Sequence, residues 1–164
     1  MKTSNKSDKV KTVRGIKNII LTLCLLMAGA MVSKAQILTP VQWSYAAKKI
    51  SEKEAVVFLK ADMDAGWHIY SQYVKEGGPV KTTIKFEQSP AYSPEGATIE
   101  PKPITKMEKV FGMEVSYFEK SVIFQQKLSI KKGQSVIKGT IGYMTCNDEK
   151  CLPPTTQEFS IPLK

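Results

Sequence analysis

Short segments that alternate apolar and polar residues run through most of the chain, and turns rich in glycine and proline separate them. No window of ten or more residues shows a convincing 3.6-residue apolar period, which an amphipathic helix would require. Short strands at regular spacing, with Gly/Pro turns between them, are typical of a β-sandwich. The sequence therefore predicts an all-β fold built as an antiparallel sandwich.

The clearest predicted strand is Ser121 to Ile130, in which apolar residues fall at alternate positions. A break in the chain is expected at the prolines of Ser89-Pro90 and of the Ser93 to Gly96 segment, because proline and glycine favour turns. The same reasoning places further strands at Val41–Tyr45, Ala55–Leu59, Trp67–Tyr70, Thr82–Phe86, Ser135–Thr145 and Thr156–Leu163.

The stretch from Lys102 to Lys120 fits this pattern least well, because it contains a proline, a glycine and several aromatic residues. Phe111, Tyr117 and Phe118 are expected to be exposed there. We therefore predict that part of this stretch is a loop lying over another part of the molecule.

The first 35 residues resemble a secretory signal peptide. Basic residues crowd the first 18 positions, an apolar run of 14 residues follows over 19–32, and Ser33-Lys34-Ala35 places small residues at the expected cleavage site. The run is short for a spanning helix, which needs about 20 residues. The prediction is a signal peptide at 1–35, cleaved before Gln36, and a periplasmic domain at 36–164. An uncleaved anchor is the alternative.

A lipoprotein signal is less consistent with the sequence, because Leu23, which precedes Cys24, is not small.

Most of the net positive charge of the chain lies in the predicted signal peptide. The formal net charge is +9, but residues 1–35 hold seven basic residues and one acidic residue. The remainder has 17 basic and 14 acidic residues, a net charge of +3, which gives little support to nucleic-acid binding. No apolar run long enough to span a membrane remains after residue 35.

The chemical feature of the exported part is its cysteine pair, Cys146 and Cys151, separated by Asn-Asp-Glu-Lys. Asn-Asp favours a turn, so the two thiols can face each other at the end of a hairpin. A disulfide closing so small a ring stabilises a fold by roughly 2 kcal/mol, against about 4.7 for a 100-residue loop. Small, exposed disulfides are open to thiolate attack. The spacing alone leaves a redox pair and a structural bridge both open.

Other residues suggest weaker alternatives. His68 is the sole histidine and is expected to cap a strand surface, since no second histidine or cysteine is near it in sequence to complete a metal site. Met107, Met113 and Met144 could join the cysteines as soft copper ligands, although methionines more often fill gaps in a core. Trp43, Trp67, Tyr70 and Phe124 are expected in the core.

The cysteine segment resembles a known family. Gly142-Tyr143-Met144-Thr145-Cys146 and Cys151-Leu152-Pro153-Pro154-Thr155 are similar to the active-site hairpin of the N-terminal periplasmic domain of DsbD, a thiol:disulfide interchange protein. The segment from Asp64 to Gln72 resembles an early strand of that family. Lys109-Val110-Phe111-Gly112 falls where the family has an aromatic-glycine cap loop. The resemblance covers about residues 37–164.

This resemblance implies an immunoglobulin-like sandwich with the cysteines on a hairpin and a cap loop. It implies that Cys151 forms mixed disulfides with partners and that Cys146 resolves them. Val110, Phe111 and Gly112 would form the cap loop, with Phe111 and Val110 shielding the pair, and Tyr143, Pro153 and Pro154 would support the hairpin.

The resemblance also implies electron relay between a membrane thiol reductase or thioredoxin-like domain and oxidised extracytoplasmic proteins, with cytochrome c biogenesis among the processes served. It implies a monomer that needs no cofactor, metal or nucleic acid. Two departures matter: the inter-cysteine loop has four residues where well-known members have five, and the chain stops at Lys164. We therefore expect a separate protein to supply the electrons.

Two alternatives stay open beside the redox hypothesis. One is a secreted immunoglobulin-like binding module in which the short disulfide pins a hairpin. The other is a copper-handling accessory protein that uses the same cysteines.

Overall fold

The computed structural model describes residues 38–109, 111–131 and 135–163, and within these ranges the secondary structure consists of strands, turns and connecting loops. No helix in the described ranges is long and apolar enough to cross a membrane. The predicted signal peptide and its cleavage site lie outside the described residues, as does Val110. From Thr39 onward the chain forms one compact unit.

Eleven strands are present in the described residues, and every pairing between them is antiparallel. They are β1 (Val41–Lys49), β2 (Glu54–Met63), β3 (His68–Tyr70), β4 (Thr83–Phe86), β5 (Tyr92–Ile99), β6 (Ile104–Glu108), β7 (Met113–Glu119), β8 (Ser121–Ile130), β9 (Ser135–Tyr143), β10 (Thr145–Cys146) and β11 (Thr155–Leu163). They form sheet I in the order β1-β2-β8-β5, sheet II in the order β11-β9-β4, and sheet III in the order β10-β3-β7-β6.

Sheets I and II contribute to one apolar core. Phe124 and Leu59 from sheet I and Ile141 from sheet II are fully buried in the same cluster. Aromatic rings join the sheets as well: the ring centroids of Tyr45 in β1 and Phe159 in β11 lie 5.7 Å apart. The prediction of an all-β sandwich is confirmed, and the fold is an immunoglobulin-like antiparallel β-sandwich.

Sheet III presents different residues on its two faces. Trp67, Ile69 and Phe118 belong to the large core cluster. Tyr70, which follows Ile69 and therefore points to the opposite face, belongs instead to a second, smaller cluster together with Cys146. One face of this sheet thus closes the sandwich core, and the other carries a cysteine.

The clearest predicted strand is confirmed, since β8 spans Ser121–Ile130 and buries every second side chain. One of those buried positions is the polar Gln126, which is 2% exposed. Its amide is satisfied, because Nε2 donates to the carbonyl oxygens of Glu95 and Lys127 at 2.9 Å and Oε1 accepts from Thr98 Oγ1 at 2.7 Å. These hydrogen bonds offset the free-energy cost of burying a polar side chain.

Two predictions about loops hold for only a few of the residues that they covered: the first loop shrinks to the turn between β6 and β7, and the pairing of β5 is interrupted only after Glu95. The stretch from 102 to 120 is mostly a hairpin of β6 and β7, and Tyr117 and Phe118 in it are 8% and 5% exposed. The alternation in Met113–Glu119 was obscured because Tyr117 and Phe118 are adjacent and face opposite ways, each into a different apolar cluster. Pro94 does not break the chain but lies in β5, at the edge of sheet I, where proline is tolerated.

A close approach between strands in sheet II makes a glycine necessary at position 139. A Cβ atom there would lie 2.2 Å from the Lys85 carbonyl oxygen and 2.4 Å from Phe159 Cζ. We expect Gly139→Ala to lower the free energy of unfolding by about 1–3 kcal/mol, measured by urea denaturation, because neither neighbour can yield easily. Gly142→Ala is the matched control: it meets only the rotatable Thr83 hydroxyl at 2.7 Å and should cost less. Equal losses in the two variants would contradict this explanation.

Candidate functional site

Cys146 and Cys151 form a disulfide at the end of the hairpin built by β9, β10 and β11. Their Cα atoms lie 4.0 Å apart and pair as an isolated antiparallel bridge. The register shifts by one residue between this bridge and the Tyr143–Thr155 pair of β9 and β11. The shift coincides with Pro153 and Pro154, which have no backbone N–H to donate to a regular ladder.

The turn between the cysteines is held by its own backbone and by one side chain. The Asn147 amide donates to the Lys150 carbonyl oxygen at 2.9 Å. Asn147 Oδ1 accepts from the backbone amides of Glu149 and Lys150, at 3.0 and 2.8 Å. This is the turn chemistry expected of asparagine, and it fixes the geometry in which the cysteines face each other.

Strand β10 attaches the cysteines to the edge of sheet III. Cys146 lies directly opposite His68 of β3, and Thr145 opposite Ile69. Thr145 Oγ1 adds a hydrogen bond to the His68 carbonyl oxygen at 2.9 Å. The position of Cys146 is therefore fixed by the sheet as well as by the turn.

An open cavity of about 370 Å³ lies at the disulfide. Phe111, at the turn between β6 and β7, contributes to its wall, and the Phe111 amide donates to the Glu108 carbonyl oxygen at 3.2 Å. The complete lining is His68, Tyr70, Lys106, Glu108, Phe111, Cys146, Asn147, Asp148, Glu149, Lys150 and Cys151. Three segments that are distant in sequence thus line one cavity beside the disulfide.

The two cysteines differ sharply in exposure. Cys146 is 1% exposed and packs with Tyr70, whereas Cys151 is exposed on the surface. Thiol–disulfide exchange requires access to the sulfur that is attacked. In this geometry an external thiolate meets Cys151 first.

Burial and nearby charges shift the pKa values of two groups that line the cavity, His68 and Tyr70. Burial lowers the pKa of His68, an effect that the carboxylates of Glu108, Glu119 and Asp148 oppose. Burial and, secondarily, Glu108 raise the pKa of Tyr70 to about 12, so its hydroxyl stays protonated at neutral pH. The Tyr70 hydroxyl lies 3.2 Å from His68 Nε2, within hydrogen-bond distance.

The structure brings together some of the residues that the sequence singled out and separates others. Cys146, Cys151 and Phe111 line one cavity. Tyr143 lies in the large core cluster, its ring 5.5 Å from that of Trp43, while Pro153 and Pro154 are exposed on the returning arm of the hairpin. Gly112 follows Phe111 with a φ of 63°, in the left-handed region that favours glycine.

Of the three methionines considered as copper ligands, two lie near Cys146 and one does not. Met107 is 58% exposed, whereas Met113 and Met144 pack against the small cluster that contains Cys146. No group of three or more His, Cys, Asp or Glu side chains in the described ranges is arranged to hold a metal ion.

Sequence reasoning missed the part of the cavity that β3 and β6 supply. His68 was expected on a strand surface and Tyr70 in the core, yet both also line the cavity, with Lys106 of β6 beside them. A signal was present for the first two: His68 and Tyr70 alternate with the core residue Ile69, so they share a face. Which face the cysteines occupy depends on the β3–β10 pairing, which local sequence does not show.

The fold and the site together define a class of protein: an immunoglobulin-like sandwich that carries a short disulfide, one cysteine buried and the other exposed, beside an aromatic-bearing turn. Residues 34–163 match the family model described as the N-terminal domain of the thiol:disulfide interchange protein DsbD. The chain therefore belongs to the DsbD N-terminal domain family, and thiol:disulfide exchange is the activity of that family. No curated protein matched the chain.

Solved structures show the same fold. The N-terminal periplasmic domain of ScsB from Proteus mirabilis is similar with a TM-score of 0.56 and 22% identity, over 77% of this chain and 47% of that one. This chain thus spans about half the length of that relative. A structure of the complex between the DsbD N-terminal and PilB N-terminal domains from Neisseria meningitidis is similar with a TM-score of 0.51 and 16% identity, over 76% and 87% of the two chains.

Proposed function

We propose that this protein exchanges thiols and disulfides through Cys146 and Cys151, and that it relays electrons from a membrane thiol reductase or thioredoxin-like donor to oxidised extracytoplasmic proteins. The observation that carries the proposal is the unequal exposure of the two cysteines, 1% for Cys146 against an exposed Cys151, at a cavity edged by Phe111. Cys151 is the interchange sulfur and Cys146 resolves the mixed disulfide.

The exchange proceeds in two balanced steps. The Cys151 thiolate attacks one sulfur of a partner disulfide, forming a mixed disulfide and releasing the partner's first thiolate. The Cys146 thiolate then attacks Cys151 Sγ, which breaks the mixed disulfide and releases the second thiolate. Two electrons pass from the cysteine pair to the partner, and the two thiol protons are lost from the pair.

The cap loop of Val110, Phe111 and Gly112 is proposed to control access to the pair. Phe111 lines the disulfide cavity at the turn of the β6–β7 hairpin. A bulky ring at this position slows the approach of other molecules to the sulfurs, and a partner that displaces it gains faster access. Val110 itself lies outside the described residues.

The setting proposed for this reaction is the periplasm, after export and removal of residues 1–35, with residues 36–164 as the working domain. Basic residues, an apolar run and a small-residue cleavage site at the N-terminus support export. The N-terminal periplasmic domain of ScsB from Proteus mirabilis has a similar fold. The complex reported between the DsbD N-terminal and PilB N-terminal domains from Neisseria meningitidis supports a protein partner for this chain.

Trapping of mixed disulfides tests the proposal. In the native compartment, Cys146→Ala is expected to accumulate covalent complexes through Cys151, because the resolving sulfur is absent. Non-reducing and reducing gel electrophoresis of the tagged protein measures them.

The matched control is Cys151→Ala, which keeps one cysteine but leaves only the buried sulfur, and it should accumulate none. Absence of complexes with Cys146→Ala, together with a wild-type pair that resists physiological reductants, would contradict the redox function and favour a structural disulfide.

A further inference from the structure

His68 is placed to act on Cys146. The two residues are direct cross-strand partners in β3 and β10, and directly opposed residues of an antiparallel pair have Cβ atoms about 4.5–5.5 Å apart on the same face of the sheet. Both side chains line the disulfide cavity. An imidazole on this face is therefore within reach of the buried sulfur.

The imidazole is held in a defined orientation. Its ring centroid lies 5.2 Å from that of Tyr70 and 5.0 Å from that of Tyr117, and Nε2 lies 3.2 Å from the Tyr70 hydroxyl. Aromatic contact on two sides and one hydrogen bond limit the rotation of the ring. The Tyr70 hydroxyl thus occupies one ring nitrogen, which leaves the other for proton transfer.

The charges around His68 come from three elements. Lys106 and Glu108 belong to β6, Glu119 to β7, and Asp148 to the turn between the cysteines, and the two tyrosine hydroxyls of β3 and β7 complete the surroundings. Burial outweighs the carboxylates and lowers the pKa of His68. The ring is therefore neutral at pH 7, and in the tautomer in which Nε2–H donates to the Tyr70 hydroxyl, Nδ1 is free to accept a proton.

The Cys146 thiol needs a proton acceptor when it attacks Cys151. Its sulfur is buried, and burial disfavours the ionised form of a thiol. The cavity adds three carboxylates, Glu108, Asp148 and Glu149, against two ammonium groups, Lys106 and Lys150. Only the thiolate is nucleophilic, so the resolving step depends on removing this proton.

We propose that His68 is the general base of the resolving step, accepting the proton of the Cys146 thiol as that sulfur attacks Cys151. This inference rests on the proposed function. The S–S bond between Cys146 and Cys151 forms, the bond between Cys151 and the partner breaks, and the partner leaves as a thiolate. The proton passes from Cys146 Sγ to the unprotonated ring nitrogen of His68, and then to the departing thiolate or to water.

The aromatic disulfide DTNB separates the two steps, because each releases one coloured thiolate. The first phase, attack by Cys151, depends on DTNB concentration, and the second, resolution by Cys146, does not. At pH 7 we expect His68→Gln to slow the second phase by about tenfold or more, since general bases contribute roughly 10²–10⁴-fold. The first phase should be unchanged.

The pH profile distinguishes a base from a merely structural residue. In the wild type, the rate of the second phase should fall as pH drops through the lowered pKa of His68, below its ordinary value of 6.5. In His68→Gln this inflection should disappear, and the rate should instead rise with pH as the thiolate fraction of Cys146 increases. His68 is the sole histidine of the chain, so loss of the inflection in His68→Gln assigns it to the imidazole and not to the surrounding carboxylates.

Two further variants test whether the imidazole itself is responsible. Glu119→Gln removes a carboxylate that raises the pKa of His68, so it should move the inflection to lower pH and leave the plateau rate unchanged. In His68→Ala, added imidazole should restore the second phase selectively.

The possible failures can be told apart. If wild-type protein shows no Cys151-dependent first phase, the proposed function fails. If the first phase is normal and the second is equally fast with and without His68, or if His68→Gln slows both phases alike, the role of His68 as a base is overturned and the redox function stands.

Discussion

In the domain of residues 36–164, which lacks Cys24, the Cys151→Ser variant is expected to lose thiol:disulfide exchange completely. Serine preserves the size of the side chain but does not ionise at neutral pH, and the thiolate is the nucleophile in exchange. The remaining sulfur, Cys146, is 1% exposed and cannot be reached by a partner disulfide in the folded protein. Release of coloured thiolate from DTNB by the reduced protein should therefore fall to the level of the buffer alone.

Cys146→Ser is the matched control for this loss. It keeps the exposed Cys151, so it should release one equivalent of thiolate at the wild-type first-phase rate and then stop as a stable mixed disulfide. Equal reactivity of the two single-cysteine variants would contradict the roles assigned here, because it would mean that the difference in exposure does not govern attack.

The largest effect on stability is expected from Phe124→Ala. Phe124 is fully buried in β8, with its ring centroid 6.2 Å from Trp43 in β1 and 5.8 Å from Phe118 in β7. Its loss would leave a cavity where sheets I and III meet. Truncating a buried phenylalanine typically costs about 3–5 kcal/mol of unfolding free energy. Urea denaturation of the oxidised protein measures this cost.

The neighbouring Ile123 supplies the control, because it lies on the same strand but points outward and is 42% exposed. Substitutions at such exposed positions usually change stability by about 0.5 kcal/mol or less. A loss at Ile123→Ala comparable to that at Phe124→Ala would show that the strand itself, and not the contacts of one face, is sensitive.

The fold was largely predictable from the sequence because its strands obey a simple period. In β8 one face is apolar except for Gln126 and the other is polar except for Ile123, and this alternation indicates which side chains are buried. The β6–β7 hairpin was missed because both of its faces carry apolar residues: Phe118 faces the sandwich core, and Tyr117 faces the cluster with Cys146. A strand covered on both faces loses the alternation on which prediction depends.

The site was predictable only in the part that is local in sequence. The turn between Cys146 and Cys151 brings the two sulfurs together over six consecutive residues, and asparagine at its start indicates a turn. His68 and Lys106 reach the same cavity through the β10–β3–β7–β6 pairing. These contacts join residues about 40 to 80 positions apart in sequence, and no short-range pattern specifies such a register.

Strand β6 has a further consequence for how this molecule can be altered. Within the described residues it pairs on one side only, with β7, and most of its side chains are exposed, so few of the contacts that stabilise the sandwich involve it. Local opening of such an edge segment requires much less free energy than global unfolding. Accessibility of the disulfide and thermal stability of the domain can therefore be changed separately. Substitutions along β6 can alter access to the disulfide and leave the thermal stability of the domain unchanged.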